Sequence, residues 1–480
     1  MPDSSPDRVC TPLSVPFRRI GSIRPRNASE IKASNWTIGC EGLDRDFDRF
    51  EGFRDYIAPL GIKTIRIQAG WAKTEQQRGR YDFAWLDDIV DYACTNGLNV
   101  LLETGYGNPV YEGGGGKFLG GSFPTSNVAL VAWDRWVDAM SRRYRGKVRD
   151  WAMWNEPDIA MEWLPGGRRV NSGRKSPAEI AAFNVRTAKI VKRNIPDARI
   201  GGLSLARNSA EFLDECLKAM GEDVNLFTWI IYHGYCMNPD ASYEEVERQK
   251  AVARKYSQSL RLRQGENGCP SGWVKASALS MWPWSEWSQA KWDMRRMLGD
   301  LGHDVESAVF TISGASGGEN KSLLRRARDK TVIDIKTAYY AVQNVASVFD
   351  CELERRTDGL SITLDDETVA LYEYRRRDGD RSPVYVFWEH GNLKQFHPKT
   401  NPQCPSDSFR TRPVLFRLRR ALKNPIWVDM LTGKAYEFPR SNVIPAGADG
   451  SCLCKMVPVY DSPCLLAERS AIPLVPESPE

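Results

Sequence analysis

The chain has 480 residues, 42% of them hydrophobic and 26% charged, with a formal net charge of +5. That length exceeds one compact domain and suits a large barrel with a smaller module attached. So mild a charge gives no ground for a nucleic-acid or acidic-membrane partner, and no apolar run approaches the roughly 18 residues of a membrane span.

Residues 1–34 open as Met1-Pro-Asp-Ser-Ser-Pro-Asp-Arg8 without an apolar leader core. The expectation is therefore a cytoplasmic protein; a leader removed earlier would make it secreted or periplasmic. Eleven scattered cysteines fit reduced thiols better than a disulfide framework. Residues 12–24 read as a strand able to join a β domain further on.

From about 35 to 350, short β-rich runs alternate with longer helical patterns. The runs are Trp36-Thr-Ile-Gly39, Thr64-Ile-Arg-Ile-Gln68, Asn99-Val-Leu-Leu-Glu103 and Asp150-Trp-Ala-Met-Trp154. Arg199-Ile-Gly-Gly-Leu203, Phe227-Thr-Trp-Ile-Ile-Tyr232, Leu260-Arg-Leu-Arg-Gln264 and Ser307-Ala-Val-Phe-Thr-Ile312 complete eight. Between them lie apolar residues at spacings of three and four. The last such set is Val332, Ile335, Ala338, Tyr339, Val342, Val345, Ala346 and Phe349. Ser176-Pro-Ala-Glu179 carries a helix-start signature.

Eight βα units of about 39 residues predict a closed (β/α)8 TIM barrel, an α/β fold. After 350 the rhythm changes to short strands broken by turn clusters, which predicts a small C-terminal β-sandwich over 351–470. The Pro- and Glu-rich end, 471–480, reads as a disordered tail.

In such a barrel the C-terminal strand ends converge on one mouth. Those ends carry Glu41, Arg66 with Gln68, Glu103, Asn155 with Glu156, His233 with Tyr235, and Glu266. Glu156 closes strand four and Glu266 strand seven. Two carboxyl groups at one mouth are the minimal machinery for cleaving a glycosidic bond. Arg66 is placed to hold Glu266 ionised, and Tyr235 or His233 to orient the same carboxylate. Asn155 is a candidate ligand for the sugar hydroxyl beside the reacting carbon. Glu103 competes as a substrate ligand or second catalytic acid, and Glu41 and Asp44 stand nearby.

Met281-Trp-Pro-Trp-Ser-Glu-Trp287 follows strand seven. Its Trp282 and Trp284 are expected to offer flat faces to sugar rings, with Trp71 and Trp154 as further wall candidates. Trp287 and Trp292 fit core packing as well. The loop Tyr106–Gly116 is glycine-rich without the spacing of a phosphate loop. The basic stretch Arg168–Lys175 reads as a solvated run or as a partner for an acidic sugar.

Asn155-Glu156-Pro157 on strand four, with Glu266 three units on, resembles the clan A glycoside hydrolases. The resemblance covers the barrel, and the appended β-sandwich is similar in architecture to the β-xylosidase and α-iduronidase branch. It implies a retaining mechanism with Glu156 as acid/base and Glu266 as nucleophile, acting on a β-linked (or equivalently oriented) glycoside or oligosaccharide. Members of the clan usually carry a tryptophan at the end of strand eight, and Ala308–Gly314 has none. No cofactor or metal is expected. Cys452-Leu-Cys454, Cys464 and the four histidines (His233, His303, His390, His397) lack paired metal-ligand spacing. Two other classes stay open: a non-catalytic carbohydrate-binding barrel and an unrelated metal-dependent barrel enzyme.

Overall fold

The computed structural model describes residues 2–477 apart from 3, 4, 6, 166–167, 273–277, 280–283, 315–319, 358–360, 380, 392 and 394–406. In chain order its first strands are β1 (Arg19–Ile23), β2 (Trp36–Gly39), β3 (Thr64–Gln68), β4 (Asn99–Thr104) and β5 (Asp150–Met153). A short hairpin, β6 (Met161–Trp163) and β7 (Arg169–Asn171), precedes β8 (Arg199–Leu205), β9 (Trp229–Tyr232), β10 (Arg261–Gln264) and β11 (Ser307–Val309).

Eight of these form one parallel sheet in the order β10-β9-β8-β5-β4-β3-β2-β11. Parallel bridges Arg263–Glu306 and Asn267–Val309 join its two ends, so the sheet closes into a (β/α)8 barrel. Strands covered on both faces lose the usual polar alternation. In β3 all five residues are buried, including Thr64, Arg66 and Gln68.

The barrel interior is filled rather than open. Leu101, Ala152, Trp229 and Ile231 form a separate internal cluster. Ile231 occupies space that side chains at residues 201 and 265 would claim: a Cβ on Gly201 or Gly265 would lie 2.3 or 2.2 Å from it. The outer helices pack by amphipathic stripes. Ala84–Thr95 buries Leu86, Ile89, Val90 and Ala93. Pro177–Asn194 starts with a capping box in which Ser176 and Glu179 satisfy each other's backbone N–H groups.

One predicted helix begins later than its spacing suggested. Val332–Ile335 is a strand paired with Leu324–Arg326, and the helix runs only from Thr337 to Val348. The β-branched run Val332-Ile333-Asp334-Ile335 also satisfies an extended pattern, which wins at this edge.

Beyond the barrel, antiparallel strands build two sheets, one of eight strands that includes β1 and one of four. Phe387 of the larger meets Phe416 of the smaller edge to face, ring centres 4.8 Å apart. β1 pairs with Lys434–Glu437 on one side and Leu474–Pro476 on the other. The disorder expected from residue 471 is therefore corrected over 474–476, where the backbone groups find partners in β1. Among the described residues, no helix is long and apolar enough to cross a membrane.

Candidate active site

Arg66 organises the barrel mouth. On β3 it shares the inner face with Gln68, two residues on. Its Nη1 donates to Glu41 Oε1 and Glu266 Oε2, each at 2.8 Å. Its Nη2 donates to Glu103 Oε2 at 2.8 Å and Asn155 Oδ1 at 2.5 Å. A planar guanidinium can serve four acceptors in this way, whereas an ammonium is a point charge.

The acceptors are held from behind. Gln68 Nε2 donates to Glu103 Oε1 at 3.1 Å. Asn155 Nδ2 donates to the Tyr106 hydroxyl at 2.7 Å. Glu41 folds back over Gly39, where any side chain would meet its carboxylate within 2.3–2.8 Å. With both oxygens bonded and almost no exposure, Glu103 is spent on Arg66 and Gln68 and is not placed as a second catalytic acid.

Glu156 follows β5 in a constrained turn. Its φ is 47°, in the left-handed region that costs a non-glycine residue energy. Its N–H donates to Ser204 O at 2.9 Å, and Asp158 accepts from Ala206 N at 2.8 Å and Arg207 Nε at 2.9 Å. The segment is thereby pinned to the end of β8. Glu156 Oε1 lies 2.7 Å from His233 Nδ1. Glu266 Oε1 accepts from the Tyr235 hydroxyl at 3.0 Å. The expected choice between Tyr235 and His233 as orienter of Glu266 thus resolves: the phenol bonds Glu266, and the imidazole bonds Glu156.

A carboxylate oxygen of Glu156 and one of Glu266 lie within 4.8 Å of each other. Their environments differ. Burial pushes Glu156 up; the hydrogen bond and charge of His233 offset part of this, and the Glu266 charge adds to it. Burial also opposes ionisation of Glu266, yet the charges of His233 and Arg66 overcome it and hold this carboxyl at about 2. His233 is raised as well: burial works against its charge, but Glu266 and the bond to Glu156 outweigh it. Burial lifts Glu41 to about 7 despite Arg66. The mouth therefore holds one firmly ionised carboxylate beside a proton-retaining carboxyl–imidazole contact.

Glu156, His233 and Glu266 offer donor atoms within 4.8 Å of one another, a spacing a cation would accept. The donor set fits one poorly. Glu266 already carries a guanidinium and a phenol, and a divalent ion there would share this carboxylate with the positive charge of Arg66, whose Nη1 lies 2.8 Å from Glu266 Oε2.

The tryptophans depart from expectation. Trp71 is fully buried; its Nε1 donates to Glu75 Oε2 at 2.6 Å, and its ring packs on Tyr111, Trp133 and Trp136. Trp284 is 2% exposed, with Nε1 donating to Leu279 O at 3.0 Å. Both are corrected to core residues, because neither has a free face. Trp154 is likewise enclosed, by Tyr106, Phe123 and Phe183. Trp282 lies outside the described residues. At the end of barrel strand eight the aromatic residue is Phe310, whose ring centre is 5.8 Å from Lys321 Nζ. The basic run 168–175 carries exposed Arg168, Arg169 and Arg174 on and after the β6–β7 hairpin.

Sequence reasoning missed Tyr106 and Lys321. Tyr106 had a usable signal, two residues beyond the end of β4. Lys321 had none, since it returns to the mouth from the loop after β11.

Comparison with known proteins places this geometry in context. The profile of glycoside hydrolase family 42, described as beta-galactosidase, matches residues 52–110. Beta-galactosidase BgaA of Clostridium cellulovorans is 27% identical over 142 residues, covering 25% of this chain and 22% of that protein. The chain thus spans about a fifth of the length of this curated relative. A family 39 glycoside hydrolase structure from Bacteroides cellulosilyticus WH2 superposes with a TM-score of 0.63 at 16% identity, covering 93% of this chain and 83% of that one. A family 39 β-xylosidase structure from Caulobacter crescentus gives 0.55 at 17% identity, covering 94% and 98%. The fold is that of these glycoside hydrolase structures: a (β/α)8 barrel with an appended β-sandwich.

Proposed function

We propose that the protein is a retaining glycoside hydrolase of clan A type, cleaving a β-linked or equivalently oriented glycosidic bond by double displacement. The observation that carries this reading is the Glu156–Glu266 pair, with carboxylate oxygens inside 4.8 Å and opposite charge tendencies. Retaining enzymes separate their carboxyl groups by about 5–5.5 Å, whereas inverting ones leave room for a water.

Glu266, held ionised, attacks the anomeric carbon as Glu156 protonates the departing oxygen, which leaves a glycosyl ester on Glu266. Glu156 then takes a proton from the water that hydrolyses the ester, and configuration is retained. Arg66 and Tyr235 orient the nucleophile. Asn155, fixed by Arg66 and Tyr106, keeps amide hydrogen-bonding capacity for a sugar hydroxyl. The substrate is a glycoside or oligosaccharide. The activities for which the relatives are named, β-galactosidase and β-xylosidase, set the order of a nitrophenyl glycoside panel.

The test is covalent trapping. A 2-deoxy-2-fluoro glycoside of a sugar cleaved in that panel, with a good leaving group, should inactivate the protein and add one glycosyl mass to the peptide bearing Glu266. Label on Glu103 would sink the assignment. Sugar binding without turnover across the panel would make the barrel a lectin-like module instead.

A further inference from the structure

Lys321 leaves the loop after β11 and brings a buried side chain back to the mouth. Its backbone is fixed: Gln289 Nε2 donates to Lys321 O at 2.9 Å, and two residues on Leu323 N donates to Thr311 O at 2.9 Å. Its Nζ lies 4.1 Å from the centre of the Tyr235 ring. The hydroxyl of that ring donates to Glu266 Oε1 at 3.0 Å. Ammonium, phenol and carboxylate therefore stand in series.

We propose that Lys321 is a positioning residue for Glu266: its ammonium, set against the Tyr235 ring, polarises the phenol that hydrogen-bonds the attacking carboxylate. The inference rests on the reading of Glu266 as the nucleophile. A cation over an aromatic face draws on its π density. Electron density withdrawn from the ring is withdrawn from its oxygen, and the O–H becomes a stronger donor to an anion.

The arrangement divides labour between the two oxygens of Glu266. Arg66 from β3 addresses Oε2, and Tyr235 addresses Oε1. Lys321 thus reinforces the oxygen on which no guanidinium bond falls among the described residues. The other charged or titratable groups acting on Glu266 are His233 after β9, Glu156 after β5 and Glu41 after β2. Two of these three are acids, so a second fixed cation besides Arg66 counters their repulsion. The Lys321 charge lowers the carboxyl of Glu266, after the larger effects of burial, His233 and Arg66.

The experiment reads the carboxyl directly and does not require turnover. The full chain is labelled with 13C at glutamate Cδ, with the Glu266 resonance assigned by its loss in Glu266→Gln. It is titrated as wild type, Lys321→Met, Lys321→Gln, Lys321→Arg, Tyr235→Phe and the Tyr235→Phe/Lys321→Met double variant. Removing the ammonium should raise the Glu266 midpoint by about one pH unit, a tenfold change. Lys321→Arg should restore most of it. In the Tyr235→Phe background the Lys321→Met step should shrink by at least half.

An unmoved midpoint in both neutral variants would overturn the proposal. An undiminished step without the phenol would overturn the route through Tyr235. On a glycoside that the wild type cleaves, Lys321→Met should move the acid limb of kcat to higher pH by about one unit with KM little changed. If the midpoint moves while no glycoside is cleaved by the wild type, the hydrolase reading fails and the Lys321–Tyr235–Glu266 coupling stands.

Discussion

His233 Nδ1 lies 2.7 Å from Glu156 Oε1 but 3.8 Å from Glu266 Oε2, so a single buried ring touches the two carboxyl groups unequally. The near contact is a hydrogen bond and the far one a purely electrostatic contact. Arg66 reverses the order, bonding Glu266 and not Glu156. Burial and the Glu266 charge keep the proton on Glu156 against the pull of His233, while His233 and Arg66 together hold Glu266 ionised.

His233→Ala should move the alkaline limb of kcat/KM to higher pH. The bond and charge of His233 lower Glu156 against the burial that raises it. Without them the carboxyl rises further and keeps its proton longer as pH increases. The maximum should fall about 10²-fold, because Glu266 also loses a stabilising charge. A pH–rate profile with the limb unmoved or shifted downward would contradict the assignment.

Glu156→Ala should lose about 10²- to 10⁴-fold in rate on glycosides with poor leaving groups and far less on activated ones. Azide should restore rate on the activated substrates, with a glycosyl azide of retained configuration as product. Chromatography of that product against the two anomeric standards checks it.

Glu41→Gln should flatten the pH dependence of stability. Burial raises Glu41 from 4.5 to about 7, so the folded protein binds its proton more tightly than the unfolded chain does. That contribution is fully present below pH 4.5 and is lost as pH rises through about 7, amounting to about 3 kcal/mol. Denaturant unfolding at intervals across this window should show a wild-type decline that is smaller in the variant by about that amount.

Arg66→Met should destabilise the fold by about 3–5 kcal/mol, since removing the guanidinium leaves buried carboxylates without their partner. Differential scanning calorimetry reads this as a lower Tm. Glu266, no longer held low by the guanidinium, should rise, so activity is lost at a higher pH on acidification than in the wild type. An unchanged acid limb would show that Arg66 does not set the charge of Glu266.

Trp71→Phe should lower Tm while leaving KM for any cleaved glycoside within about twofold of wild type. The ring is enclosed by Tyr111, Trp133 and Trp136 and bonded to Glu75, so its loss costs packing and a buried hydrogen bond. A large rise in KM with unchanged Tm would return Trp71 to the substrate wall.

The barrel was legible because its strands are short apolar runs flanked by turn residues; Trp36–Gly39 and Thr64–Gln68 match their observed bounds. Periodicity failed at Val332–Ile335, where helix and strand patterns coincide over four β-branched or polar residues. Strand-end carboxylates and Arg66 were legible because the barrel fixes where strand ends point. The tryptophans were not, since an indole near a strand end suits an enclosed slot as well as a sugar face. Partner choice also lay beyond reach: the order His233, Gly234, Tyr235 does not say which side chain reaches Glu156 and which Glu266. Lys321 depends on the path of a returning loop, which local pattern does not encode.

The placement of β1 bears on how the molecule is made. Gly21 stands opposite Pro476, so the segment through residue 476 must leave the ribosome before β1 finds both neighbours. The barrel strands can all pair while β1 still waits with bare edges, a stage suited to chaperone capture. The same adjacency makes the protein a candidate for circular permutation. A short linker from residue 477 to residue 19 would tie β1 to the neighbouring edge strand, and new termini could open in a loop between barrel and sandwich.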